Sequence, residues 1–404
     1  MTSDPLVIVG ASHAGVQLAA NLRKEKWFGD ILLIGDEGRL PYQRPPLSKA
    51  YLTGGSQLDD FAIRGRQFYV AQRIELVDGT VTSINRSNHT AALSNGNLVS
   101  YSRLALCTGA RARALPIPGA DLEGVHYLRT AADVEAIRTA AAPGSDAVIV
   151  GGGYIGLETA ASLRALGLRV TVLEAAGRVL QRVTAPVVSE FFDRVHREEG
   201  VDVRTNAAVE AFRGGERVDG VVLAGGETVP ADLVIVGVGV IPNTDLAAAA
   251  GIDVDDGIVV DERGRTSDHD IVAAGDCVTY QIARYDRRVR LECVSAATDQ
   301  ARVAAATICG NEPGRPALPW FWSDQYDLKL QMAGLNTGYD EILLSGDPAH
   351  RRDFTCYYFS NGELIAADCV NRPKEFMTAK RAIAQRAPVD KAELIGATSL
   401  THPR

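Results

Sequence analysis

Two stretches of the chain carry the same sequence of apolar runs and glycine turns. Leu6–Val9 is an apolar run that ends in a glycine-bearing turn and gives way to helical spacing from Gly15 to about Lys26. A second run, Ile31–Ile34, ends at Asp36 and Glu37. From Ala147 the pattern returns: the run to Val150, a turn, helical spacing from Gly156 to about Leu166, the run Arg169–Leu173, then Glu174. Short apolar runs bounded by turns predict buried strands, and the intervening period predicts a helix. Each repeat takes about 30 residues, the length of a βαβ crossover, whose handedness makes the strands parallel.

Two further runs, "RLALCTGARARALPIPG" and "ADLVIVGVGVIPNTDLA", pair a buried strand with Gly and Pro and predict where the chain passes between domains. From Trp320 the composition changes, with tryptophans and alternating patterns such as "DFTCYYF" and "LIAADCV", which predicts a smaller β-rich domain. The expected fold is α/β: two Rossmann-like three-layer dinucleotide-binding domains plus a smaller α+β C-terminal domain. The first domain is expected over 1–113 and 244–318, interrupted by the second over 114–243, with the β-rich domain over 319–404. Only the last few residues read as unstructured.

Bulk properties narrow the function. At 404 residues the chain needs two or three cores. No apolar run reaches the ~18–20 residues of a membrane span, and "MTSDP" leads straight into a strand, so a cytoplasmic protein is expected. A net charge of −8 argues against nucleic acid as a partner. The six cysteines include no CxxC and no metal-ligand spacing, which predicts reduced thiols and no metal site.

The glycine turns carry the chemistry. In a dinucleotide turn the first glycine turns the chain off the strand, the second lets a pyrophosphate approach the backbone, and the third lets helix and strand pack closely. The helix N-terminus then faces the phosphates, and an acid at the end of the next strand accepts from a ribose hydroxyl. The second repeat has every part: Gly151, Gly153 and Gly156, with Tyr154 and Ile155 between the last two glycines as further candidate contacts, and Glu174 at the acid position. A carboxylate there repels a 2′-phosphate and favours NAD(H) over NADP(H); Arg178, just beyond, weakens that inference. In the first repeat Gly10, Ala14 and Gly15 are in place, but the middle position is Ser12, followed by His13. The acid is Asp36 or Glu37, with Asp36, directly after the strand, the first choice. Two cradles in one chain predict two nucleotides, a resident FAD and a diffusing NADH, since each contains an ADP half.

The motifs "YQRPPLSKAYL", "GGGYIGLE", "AAGDC" and "PWFWSDQY" resemble those of the FAD-dependent, NADH-linked ferredoxin reductases of bacterial oxygenase systems, within the glutathione-reductase-like two-dinucleotide flavoproteins. The resemblance implies hydride transfer from NADH to FAD N5, then two one-electron transfers to a [2Fe–2S] ferredoxin. It places Lys49 beside the flavin N5 region with Glu158 as its carboxylate partner, and Arg44 and Pro45 in a rigid turn against the ring. It implies that Asp276, beside Gly275, accepts from the ribityl chain. Glu292 and Val294 would lie at a helix start aimed at the flavin's pyrimidine edge, and Trp322 close to the ring. Thr108, Gly109, Arg129 and Gly239 complete the implied cofactor contacts.

A disulfide or peroxide reductase needs a cysteine beside the flavin, and the segment "YQRPPLSK" has none. A rubredoxin reductase, which differs mainly in partner, is the alternative. The expected partner is an acidic ferredoxin docking near Arg284, Arg287, Arg288, Arg290, Arg302 and Lys329, with the reductase a monomer.

Overall fold

The structure, a computed structural model, describes residues 4–395 and the strand Ser399–Leu400; the final residues read above as unstructured lie outside the described residues. The chain divides into two compact units, each made of three stretches. One contains the residues up to Gln43, Leu58–Arg111 and Ile241–Ala317; the other contains Arg44–Gln57, Ala112–Val240 and the chain from Leu318 onward.

In the first unit five parallel strands run in the order Ile271–Ala273, Arg103–Leu106, Leu6–Val9, Ile31–Gly35, Ile74–Asp78. A strand covered on both faces is apolar throughout, which is why Leu6–Val9 shows no alternation. The helix after it spans His13–Lys24, starting two residues before the spacing suggests because Ser12 takes an extended N-cap conformation. Half-buried His13 is the first residue of this helix. The helix packs on Val294–Ile308, whose buried face is Ala297, Ala301, Ala304 and Ala305. Side chains that small let two helices approach closely.

The second unit repeats the plan with parallel strands in the order Asp202–Arg204, Arg169–Leu173, Asp146–Val150, Leu233–Val236, Val125–Tyr127. It also carries an antiparallel sheet ordered Trp320–Gln325, Leu328–Gly334, Glu363–Val370, Phe354–Ser360, Glu341–Gly346, Ser399–Leu400. The two alternating motifs are neighbours at its centre. The helix Pro373–Gln385 covers one face by burying Phe376, Ala379 and Ile383, which makes this region α+β. Among the described residues no helix is long and apolar enough to cross a membrane.

One carboxyl in this sheet is out of place for a core. Asp368 is buried, accepts from the Tyr358 hydroxyl at 2.5 Å, and is pushed by burial up to about 7. The unfolded carboxyl ionises near 3.8. Between those values the folded chain therefore holds a proton that the unfolded chain has lost, so this residue's contribution to stability falls as pH rises and levels off above about 7. The full effect is roughly 4 kcal/mol. Asp368→Asn is expected to gain stability relative to the wild type between pH 4.5 and 7.5, read as the difference in urea midpoint.

Candidate active site

In the second unit the turn after Asp146–Val150 is a dinucleotide cradle by its geometry. Gly151 has φ +109°, and a Cβ there would lie 2.5 Å from the Gly237 carbonyl oxygen. A Cβ at Gly156 would lie 2.1 Å from the Gly151 carbonyl oxygen, so the helix Tyr154–Ala165 sits against the strand only because this residue has no side chain. Gly153 differs. Its φ of −80° suits any residue, and a Cβ would meet no atom within 4 Å. The protein itself does not need a glycine there. A ligand that must lie against the backbone does, and Gly153 is the N-cap of a helix whose first N–H groups open onto that space.

Glu174 closes the cradle, its carboxylate accepting from the Gly152 N–H at 2.7 Å and from the Ala176 N–H at 2.8 Å. Arg178 is committed elsewhere, donating to the Thr184 and Gln181 carbonyls, each at 3.0 Å, and to the Ser189 hydroxyl at 2.5 Å. The reservation it raised about a 2′-phosphate loses its force. Ile155 is 46% exposed beside this turn, whereas Tyr154 is turned inward and donates to Met332 Sδ at 2.8 Å.

The first unit holds a second cradle. Gly10 has φ +111° and a Cβ there would lie 2.0 Å from the Cys107 carbonyl oxygen; one at Gly15 would lie 2.0 Å from the Gly10 carbonyl oxygen. Ser12 occupies the position of Gly153, the one place where a side chain meets no conflict in the repeat. The acids are not equivalent. Val9 pairs with Ile34 as Val150 pairs with Leu173, so the residue matching Glu174 is Gly35. A Cβ on Gly35 would lie 2.6 Å from that of Ala11, which stands where the second unit has Gly152. Of the two candidate acids, Asp36 is exposed at the strand end, while Glu37 accepts from the Tyr42 hydroxyl.

The remaining residues expected around FAD in this unit fall on strand ends and one helix start. Thr108 and Gly109 are tied to Asn243, with the Thr108 hydroxyl donating to its carbonyl at 2.6 Å. Gly275 has φ +97°, donates its N–H to Gln300 at 2.7 Å, and precedes Asp276. Val294 is the first residue of its helix, and Glu292 is paired with Arg290.

In the second unit Lys49 and Glu158 meet. Glu158 lies on the cradle helix itself, buried at 3% exposure, and its carboxylate collects three donors: Lys49 Nζ at 2.5 Å, Ser48 Oγ at 2.6 Å and Ser323 Oγ at 2.6 Å. The turn Pro45–Ser48 that presents Lys49 is a short 3-10 helix with proline at its start, and Arg44 anchors it by donating to the Arg129 carbonyl at 3.0 Å. Trp322 stacks on Trp320 with ring centroids 5.4 Å apart. Gly239, with φ +100°, accepts from the Arg113 N–H.

Ser48 and Ser323 lie inside the motifs "YQRPPLSKAYL" and "PWFWSDQY" without being marked out by them. A serine has no sequence signal for bonding a carboxylate more than 100 positions away.

The six cysteines are free, and burial pushes every one of their thiols above its ordinary value. None is a ready thiolate, the form that disulfide chemistry requires.

Residues 4–301 match the pyridine nucleotide-disulphide oxidoreductase family, and residues 320–401 match the Reductase C-terminal family. The chain is 46% identical over 395 residues to putidaredoxin reductase of Pseudomonas putida, with 96% of this chain and 93% of that protein covered. It is 43% identical over 386 residues to rhodocoxin reductase of Rhodococcus erythropolis, covering 95% and 90%. Among solved structures, the covalent putidaredoxin reductase–putidaredoxin complex contains a chain that superposes with a TM-score of 0.95 at 44% identity, with 98% of this chain and 97% of that one covered.

Proposed function

The chain belongs to the pyridine nucleotide-disulphide oxidoreductase family, and on that premise we propose that it is an NADH-dependent ferredoxin reductase, passing electrons through FAD to a [2Fe–2S] ferredoxin that serves an oxygenase. The observation that carries the reading is Glu158, a buried carboxylate on the helix of the NADH cradle, holding Lys49 by an ion pair. FAD, held in the first cradle, supplies the conversion of a two-electron donor into two single electrons.

The chain's own residues bind and orient. Gly153 and the helix N-terminus receive the NADH pyrophosphate, and Glu174 selects the unphosphorylated ribose. The Lys49–Glu158 pair holds a fixed charge arrangement for the nicotinamide end of the same ligand, which is positioning rather than proton transfer. Gly10, Ser12 and Gly15 hold the FAD pyrophosphate, and Asp36 its ribose.

The partner in this reading is an acidic ferredoxin, met by a monomeric, cytoplasmic reductase. The docking candidates are Arg284, Arg287, Arg288, Arg290, Arg302 and Lys329, of which Arg288 and Lys329 are exposed. Arg290 is already paired with Glu292 and Asp256, and Arg302 with Asp299 while it also binds the Arg315 carbonyl. Charge-steered docking speeds encounter and weakens with salt.

Anaerobic titration with NADH tests the reading. Two electrons per chain are expected to bleach the flavin completely, and oxidised [2Fe–2S] ferredoxin is then expected to draw both out. Four electrons per chain would reveal a redox dithiol and overturn the mechanism; two electrons with no transfer to any ferredoxin would overturn the partner.

A further inference from the structure

The donors on Glu158 do not end at Ser323. The Ser323 hydroxyl gives its only proton to the carboxylate at 2.6 Å, so its oxygen receives the Gln325 Nε2–H at 3.1 Å. The Gln325 amide is thereby oriented, and its Oε1 faces His196 Nε2 at 2.8 Å. An amide oxygen only accepts, so His196 carries its proton on Nε2 and its Nδ1 accepts from the Tyr326 hydroxyl at 3.0 Å. Every link points toward the charge on Glu158. Ser323, Gln325 and His196 are at most 2% exposed, and they come from two separate elements, the strand Trp320–Gln325 and the helix Pro186–Glu198.

Such a chain is costly to build in a core and polarises cooperatively when complete. A histidine buried among apolar residues alone would have no preferred tautomer. Here burial lowers His196 to about 4, so the ring stays neutral at physiological pH despite Asp193 and Glu199 nearby, and a neutral ring accepts on one side while donating on the other. Reversing one link would leave Ser323 without a proton to offer a carboxylate 2.6 Å away. The direction of the whole chain is therefore set by the charge at its inner end.

We propose that His196 and Gln325, acting through Ser323, are positioning residues that lock the Glu158 carboxylate in one rotamer beside Lys49. The inference rests on the reading of the Lys49–Glu158 pair as serving the nicotinamide. Neither His196 nor Gln325 touches a ligand in this account; they act only through Glu158.

The first test uses the wild-type holoenzyme labelled with 15N-histidine. Two-bond 1H–15N correlation should show His196 as the neutral Nε2–H tautomer, and Glu158→Gln should move its ring nitrogen shifts although the two residues are not in contact. An Nδ1–H tautomer, or shifts indifferent to Glu158→Gln, would overturn the proposal whatever the variants do. The second test is anaerobic stopped-flow reduction of the bound flavin by NADH. Gln325→Met fills the same space without a hydrogen bond, and it should slow the limiting rate about tenfold while the NADH dissociation constant moves less than twofold. If Glu158→Gln slows flavin reduction and Gln325→Met does not, the relay is wrong and the site reading stands. If Glu158→Gln leaves flavin reduction unchanged, the site reading itself has failed.

Discussion

Gly153→Val is expected to raise the Michaelis constant for NADH about a hundredfold, roughly 2.7 kcal/mol of lost binding, in a protein that folds normally and retains FAD. A Cβ at this position meets no protein atom within 4 Å, and its extended backbone suits a β-branched residue. The structural cost is confined to a poorer N-cap, about 1 kcal/mol. The side chain instead occupies the space over the helix N-terminus that a pyrophosphate must enter. Gly156→Ala is the matched control with the opposite outcome: its Cβ falls 2.1 Å from the Gly151 carbonyl oxygen, so the fold itself should suffer. Melting curves and NADH saturation on the two variants separate ligand space from packing. Normal NADH saturation by Gly153→Val would show that the cradle lies elsewhere.

Glu158→Gln is expected to do damage of a different kind. It removes the counter-charge from Lys49, whose side chain is 20% exposed, and leaves Ser48 and Ser323 donating to a neutral amide. Breaking a largely buried pair from one side should cost about 2–4 kcal/mol of stability. The limiting rate of flavin reduction by NADH should fall on the order of a hundredfold. FAD content should be kept, because the first cradle lies in the other unit. Denaturant unfolding and single-turnover reduction measure the two effects separately. A variant as stable and as fast as the wild type would remove Glu158 from the site.

How far the sequence reaches depends on whether a feature is local. The glycine turns are read from spacing because strand, turn and helix are contiguous, and so is the alternation that became the C-terminal sheet. Lys49 and Glu158 meet across 109 positions, and only their motifs pointed to one another. His196 and Gln325 have no such motif: each is an ordinary residue type on an amphipathic helix or strand, and their pairing exists only in three dimensions. Arg178 shows the converse limit of local reading. Its place after Glu174 weakens the preference for NAD(H), but three partners within 11 residues hold its guanidinium inside the fold. The two cradle helices begin two residues before their spacing suggests, at His13 and Tyr154, since an apolar period shows itself only after the cap.

The exchange of Ala11 and Gly35 in one cradle for Gly152 and Glu174 in the other restricts the order in which either could change. Placing an acid at position 35 first would drive its Cβ to 2.6 Å from Ala11, and placing a side chain at Gly152 first would crowd the Glu174 carboxylate at 3.1 Å. In each cradle the small residue on the turn must come before the acid on the strand. In the reverse direction the acid must leave before the turn residue gains a side chain, so the order of the two changes is fixed and a single substitution cannot move the acid from one register to the other.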